Sequence, residues 1–277
     1  MNSFTDKYVL NNDSIVQLNC ISDSLRNRIW NLFYQKDILA DGLKSKRIKQ
    51  SFTGKPLIEN LLIDKLGLKI EQTVISAQNL KLRQIEDYLF NCDWNNVYDF
   101  INAHLSLLDA DEKQERIKQY NEILQEENSG YRIVSGQVCP ITDSNEIKSI
   151  ENASNTKYDT VNLHISKAVS LCSAFEKHDY ENSIKESISA VESICCIITG
   201  TNDTLSNAIK KLKDNGVHIH KAMEKALLSL YGYTSDESGI RHAGMDFVAA
   251  SFEDAKFMLV ICSAFINYLS EKWNKIK

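Results

Sequence analysis

Apolar residues recur three and four positions apart through most of this chain, the spacing that lines one face of an α-helix. Residues 1–20 are polar and are expected to form a loose lead-in. A helix then starts behind Ser22 and runs through RNRIWNLFYQKDILA, with Ile29, Leu32, Phe33 and Leu39 as its stripe and Asp41-Gly42 as its end. Further helical periods cover 57–66, 73–90 and 94–108. The last of these follows Asp93, a residue suited to an N-cap, and aligns Val97, Phe100, Ile101, Leu105 and Leu108. Residues 110–127 are heavily charged, with Ile117, Tyr120 and Leu124 as a narrow seam, which reads as a solvated helix packed along one edge. Only 131–142, YRIVSGQVCPIT, departs from the helical period. Its β-branched and apolar residues flank Ser135-Gly136, the composition of a tight hairpin.

Helix returns at 143–150, and the polar residues 152–156 suggest a domain boundary near 150–157. The expected organisation is therefore a helical domain over 1–156 that ends in the hairpin, and a helical bundle over 157–277. In the second half, 158–177 and 180–199 carry steady apolar stripes, the latter through Ile184, Ile188, Val191, Cys195 and Ile198 before Gly200 stops it. A short helix follows Thr204, another runs from about His218 or His220 to Tyr231, and a last one follows Ser251 and Asp254, which resemble a capping box. Helices this amphipathic need partners, so an antiparallel bundle is predicted. The fold class is all-α, mainly helical, with one small β-hairpin.

Composition sharpens this picture. With only 2 prolines and 10 glycines in 277 residues there are few breaks, which favours long helices over a many-turned β fold. A net charge of -5 provides no global basic field, so any nucleic-acid contact requires a local patch. The 7 cysteines are scattered without a C-x-x-C pair, so neither a disulfide framework nor a metal site is indicated, and most should pack as small hydrophobes. No cofactor motif is present. The first residues, MNSFTDKYVL, lack the charged-then-apolar pattern of a signal peptide, and no apolar run approaches membrane-spanning length. A reduced, cytoplasmic protein without a membrane partner is expected.

Candidate chemistry centres on 234–244, TSDESGIRHAG, a polar interruption between two amphipathic helices. One reading is a loop in which Ser235 or Asp236 caps a short helix and Arg241 pairs with a nearby acid. The other makes Arg241 and His242 a phosphate-directed pair. Arginine offers a permanent planar charge, and histidine exchanges protons near neutral pH. Such a pair suffices for metal-free RNA cleavage: one group deprotonates the ribose 2′-hydroxyl and the guanidinium stabilises the phosphorane. Glu192 lies at the edge of its helix's apolar stripe, where a carboxylate should be paired; Arg241 is a candidate partner, in a salt bridge or a catalytic role. Lys210, Lys211 and Lys213 form a small basic cluster that reads either as a plain solvated face or as a contact for an RNA backbone. His218 and His220, two apart, would point to different faces of a helix rather than share a metal.

Four stretches of the second half, NSIKESISAVESICCIITG (182–200), TLSNAIKKLK (204–213), LYGYTSDESGIRHA (230–243) and FEDAKFMLVICSAFINYL (252–269), resemble a HEPN domain, the helical module of many prokaryotic ribonucleases and toxins. The closer resemblance is to AbiJ-type abortive-infection proteins, through RNRIWNLFY (26–34), WNNVYDFIN (94–102) and NSGYRIVSGQVCPITD (128–143) in the first half as well. The resemblance implies antiviral defence with a phage-derived trigger, RNA cleavage by the HEPN domain, and a homodimer whose active-site residues meet at the interface. The apolar faces at 182–198 and 255–269 offer material for such an interface. Catalytic HEPN domains place the histidine several residues after the arginine. Here the two are adjacent and would diverge by about 100° on a regular helix, so they converge only off the helix or with a second subunit's help. A non-catalytic binding or regulatory HEPN module is the alternative.

Overall fold

The computed structural model describes residues 17–39, 56–67, 77–173, 178–235 and 249–276. It is mainly helical, with one two-stranded antiparallel hairpin among the described residues. The chain packs as two compact units, Met1–Pro140 and Ile141–Lys277.

In the first unit, α1 (Asp23–Phe33) is capped by the Ser22 side chain, which accepts from the Leu25 N–H. The helix widens into a π-helical turn over Tyr34–Leu39. Leu25, Ile29, Phe33 and Asp37 recur every fourth residue and all point into the core. Leu39, expected on the buried stripe, is instead 40% exposed. The wider π turn rotates the residues that follow it, so the row through Phe33 continues into Asp37 rather than Leu39. Next come α2 (Leu57–Glu59), continued as a π turn over Asn60–Lys65, then α3 (Ala77–Asn91), α4 (Trp94–Leu105) and α5 (Ala110–Glu126). Asp93 does stand at the N-cap of α4, but its side chain makes no capping hydrogen bond. The seam on α5 is real: Tyr120 and Leu124 are fully buried.

Residues 17–20 are not all loose. The Gln17 backbone bridges Asn128 and Gly130, and its side chain accepts from the Ser22 N–H at 2.7 Å. The hairpin pairs β1 (Arg132–Val134) with β2 (Gln137–Cys139) around Ser135-Gly136. Both turn residues have positive φ, 49° and 80°, as a type I′ turn requires. Asparagines fasten the hairpin to the helices. Asn121 of α5 exchanges two hydrogen bonds with the Ile133 backbone, and Asn102 of α4 accepts from the Val138 N–H. A Cβ on Gly136 would be strained at φ 80° and would sit 3.0 Å from Lys113 Nζ. Gly136→Ala is therefore expected to cost about 1 kcal/mol of stability in a urea melt.

The second unit begins with α6 (Ser144–Ser154), followed by α7 (Asp159–Ser173), α8 (Tyr180–Thr199), α9 (Leu205–Asp214), α10 (Lys221–Ser235) and α11 (Phe252–Asn274). Helix α8 is central, with its main neighbours α7 and α11. Small residues permit the α7–α8 approach: Ser183 and Ser187 are fully buried, and the Ser183 hydroxyl donates to the Ala168 carbonyl at 2.7 Å. Gly200 closes α8 in the left-handed conformation, and Ser251 and Asp254 form a reciprocal capping box on α11. Thr204 holds the N-cap position of α9 without a side-chain bond. The apolar faces at 182–198 and 255–269 are spent within the unit, since Ile184, Ile188, Val191, Met258, Leu259 and Ile266 are all buried there. Ile197 and Phe257 remain outside, at 43% and 56% exposed.

The cysteines pack as hydrophobes where they are enclosed. Burial pushes the Cys195 and Cys262 thiols up to about 12, so both stay protonated. No described helix is long and apolar enough to cross a membrane.

Candidate functional site

The polar interruption in the second unit starts later than its sequence suggests. Helix α10 runs on to Ser235, and Thr234 is fully buried with its hydroxyl donating to the Tyr231 carbonyl. Arg241 and His242 lie outside the described residues, as does Asp236. What brackets them is defined. Tyr233, near the end of α10, has its hydroxyl pKa raised by burial and by the negative charge of Asp254 in the first turn of α11. Beyond the segment, the Ala250 N–H donates to Glu181 Oε1 at the start of α8, at 3.3 Å. The described residues on either side of the segment therefore lie beside the N-terminal ends of α11 and α8.

Glu192 is half-buried on α8. It stands eleven residues beyond Glu181, three helical turns or about 16 Å along the axis. The carboxylate bonded to the described residues just beyond the segment is Glu181, which sequence reasoning passed over. Its signal was faint, a first-turn acid on a helix with many charged neighbours. A third carboxylate on α8, Glu186, meets His164 Nδ1 of α7 at 2.6 Å and ties those helices together.

Lys210, Lys211 and Lys213 are all exposed on α9. Lys211 stands 3.7 Å from Asp203, and Lys213 pairs with Glu224 of α10 at 2.8 Å. The loop after α9 turns through Gly216 in the left-handed region, φ 89°, with the Val217 N–H reaching back to the Leu212 carbonyl. His218 and His220 sit in this loop and not on a helix. Both are exposed, and His220 Nδ1 accepts from the Ala222 N–H at 3.2 Å. Among the described residues, no group of three or more His, Cys, Asp or Glu side chains gathers as metal ligands.

The first unit holds a charged cluster that the apolar pattern concealed. Asp37 of the π turn faces Arg116 of α5, Oδ1 to Nη2 at 3.1 Å, and His104 of α4, Oδ2 to Nε2 at 3.3 Å. On its other side, His104 Nδ1 lies 2.9 Å from the Tyr120 hydroxyl. All four residues are buried, His104 and Tyr120 completely. Burial drives the Tyr120 hydroxyl far above its usual range, so it stays a neutral donor or acceptor. Spacing carried a clue. His104 is four residues after Phe100, and Arg116 is four before Tyr120, so each shares a buried row. The side chains of this cluster are closed off from solvent.

A family model described as AbiJ N-terminal domain 4 matches residues 2–156. The chain belongs to this AbiJ family. The match takes in the whole of the first unit's described core and the hairpin. It also includes α6, which packs on α7 and α11 in the second unit. Thus the AbiJ match ends at 156, where the polar break in sequence falls, while the packing of the fold divides near residue 140. Membership suggests a role in abortive infection, the defence by which an infected cell limits phage. Searches of curated proteins and of solved structures find no match to this chain.

Proposed function

We propose that this AbiJ-type protein is a cytoplasmic antiphage effector whose helical bundle over 157–277 is a HEPN-type, metal-independent endoribonuclease. The observation that carries the reading is the joining of an AbiJ N-terminal domain to a helical bundle in which α8, α9 and α11 fall on three of the four HEPN-like stretches, and the end of α10 on the first residues of the fourth. In this reading Arg241 stabilises the charge on the phosphorane and His242 moves the proton of the attacking 2′-hydroxyl. Glu192 serves the pair in a catalytic role or in a salt bridge with Arg241, and Glu181, which accepts from the Ala250 N–H, is a further carboxylate of α8. The active assembly is a homodimer in which each subunit completes the other's site, and the AbiJ domain receives the phage-derived trigger. No cofactor enters the scheme.

One feature favours a second reading. Arg241 and His242 are adjacent, and a helical continuation would turn them apart by about 100°. A non-catalytic HEPN module that binds RNA or a regulator would tolerate that divergence. The deciding experiment incubates purified protein with total cellular RNA in EDTA. Cleavage by wild type and its loss in Arg241→Ala and His242→Ala supports the enzyme. Cleavage that persists in both variants removes the site assignment. Absence of cleavage by every form, together with unaltered phage protection in cells for both variants, supports the binding module.

A further inference from the structure

The strongest unassigned feature outside the Arg241–His242 segment is the turn between α9 and α10. In a protein of net charge -5, residues 210–225 carry five lysines, at 210, 211, 213, 221 and 225, against only Asp214 and Glu224. All five lysines are exposed. Folding brings them to one end of the bundle. Two open grooves, about 740 and 680 Å³, share Lys213 and Lys221 on their walls. Lys225 continues the first groove one turn along α10, four residues from Lys221 and so on the same helix face. His218 and His220 continue the second.

The loop is built to hold those groups outward. Val217 and Ile219 are buried, at 1% and 8% exposed, while His218 and His220 alternate with them on the solvent side. The Tyr268 hydroxyl of α11 reaches the His218 carbonyl at 3.5 Å, and Lys272 Nζ lies 5.6 Å over the Tyr268 ring. A third helix thus adds an aromatic ring and another cation to the same end. Single-stranded nucleic acid is held by this combination, a cationic groove along the backbone with planar side chains on which bases stack. An acidic protein segment would use the lysines but has no need of the exposed imidazole rings of His218 and His220.

We infer that the α9–α10 turn, with Lys213, Lys221, Lys225, His218 and His220, is a binding track for the phosphodiester backbone of single-stranded RNA, separate from the cleavage segment. The track deepens the ribonuclease reading, on which it rests, since it would retain substrate RNA independently of the chemistry. Glu224 tempers it: its bond to Lys213 at 2.8 Å occupies one lysine, and a phosphate must compete for that contact. Exposed pairs of this kind are weak, so the competition is readily won.

The test uses the full chain carrying Arg241→Ala and a labelled single-stranded RNA of mixed sequence with every 2′-hydroxyl methylated, in EDTA, so that the probe lacks the attacking hydroxyl and binding is read without cleavage. Lys213→Gln/Lys221→Gln/Lys225→Gln is expected to weaken binding on the order of tenfold near 0.1 M salt, and to reduce the slope of log affinity against log salt by about 2. Glu224→Gln is expected to tighten binding about twofold, which a misfolded surface would not do. Lys118→Gln/Lys148→Gln/Lys167→Gln removes the same charge from other exposed positions and should leave affinity within about twofold. Equal weakening by this control would overturn the track in favour of net charge. Polyglutamate competing as well as RNA would overturn the RNA assignment in favour of an acidic protein. Because the probe is never cleaved, these outcomes stand whether or not the wild-type protein proves to be a ribonuclease.

Discussion

Asp37→Ala is expected to destabilise the first unit by about 3–5 kcal/mol, the typical result of stripping one partner from a buried ion pair. Asp37 is 1% exposed and Arg116 is 6% exposed, so neither charge has water to fall back on. Removing the carboxylate leaves a buried guanidinium without this counterion and takes the acidic partner from His104 Nε2. Against a domain stability of about 5–15 kcal/mol, that loss leaves little reserve. The contrast is Tyr120→Phe, which removes the hydrogen bond between the Tyr120 hydroxyl and His104 Nδ1 and should cost less, about 1–3 kcal/mol. Two of the three tryptophans, Trp30 and Trp94, lie in this unit. Urea melts followed by tryptophan fluorescence in a Trp273→Phe background therefore read the first unit selectively. A loss of less than about 1 kcal/mol for Asp37→Ala would show that the cluster is hydrated and that its charges do not depend on one another.

The second large effect concerns the cleavage proposed for Arg241 and His242. Arg241→Ala and His242→Ala are each expected to lower RNA cleavage by on the order of 10²–10⁴, the range that a positioned acid–base group or a charge stabiliser supplies. Arg241→Lys should recover little, because a point charge does not reproduce the planar fork on phosphate. Adjacency makes a more pointed forecast. If the arginine of one subunit works with the histidine of its partner, mixing the two inactive alanine variants regenerates one complete site in each heterodimer. In a two-fold dimer that restores about a quarter of wild-type activity, whereas sites confined to single subunits give none. Cleavage assays on variants mixed under subunit exchange, with each variant alone as baseline, separate the two cases. Full folding of each variant is verified by its urea midpoint.

How legible this protein was depended on the distance over which each feature is determined. The helices of the second unit were written in local spacing: Ile184, Ile188, Val191, Cys195 and Ile198 predict α8, and all five are buried in the fold. The hairpin was as plain, since Ser135-Gly136 between apolar runs fixes a two-residue turn through its own backbone preferences. The AbiJ resemblance of the first half rested on stretches within residues 2–156 that the family match covers. Other local expectations were weaker than they looked. Asp93 and Thr204 have cap-forming side chains and occupy cap positions, yet neither makes the bond.

What the sequence determined by itself, then, is the all-α class, the hairpin and the AbiJ membership, because period, turn chemistry and family motif are properties of neighbouring residues. Tertiary structure alone decided which polar residues go inside and which charges meet. Asp37, His104 and Arg116 are far apart along the chain, and no periodicity announces that one buried carboxylate will serve the other two. The apolar faces of α8 and α11 read equally well as a dimer surface or as each other's partner, and only packing assigns them to the interior of the unit. Lys213, Lys221 and Lys225 belong to two helices, and their union into one basic end depends on the reversal at Gly216 and on Val217 and Ile219 being drawn into the core. Burial and electrostatics are set by where distant segments come to rest, and that information exists only once the chain has folded.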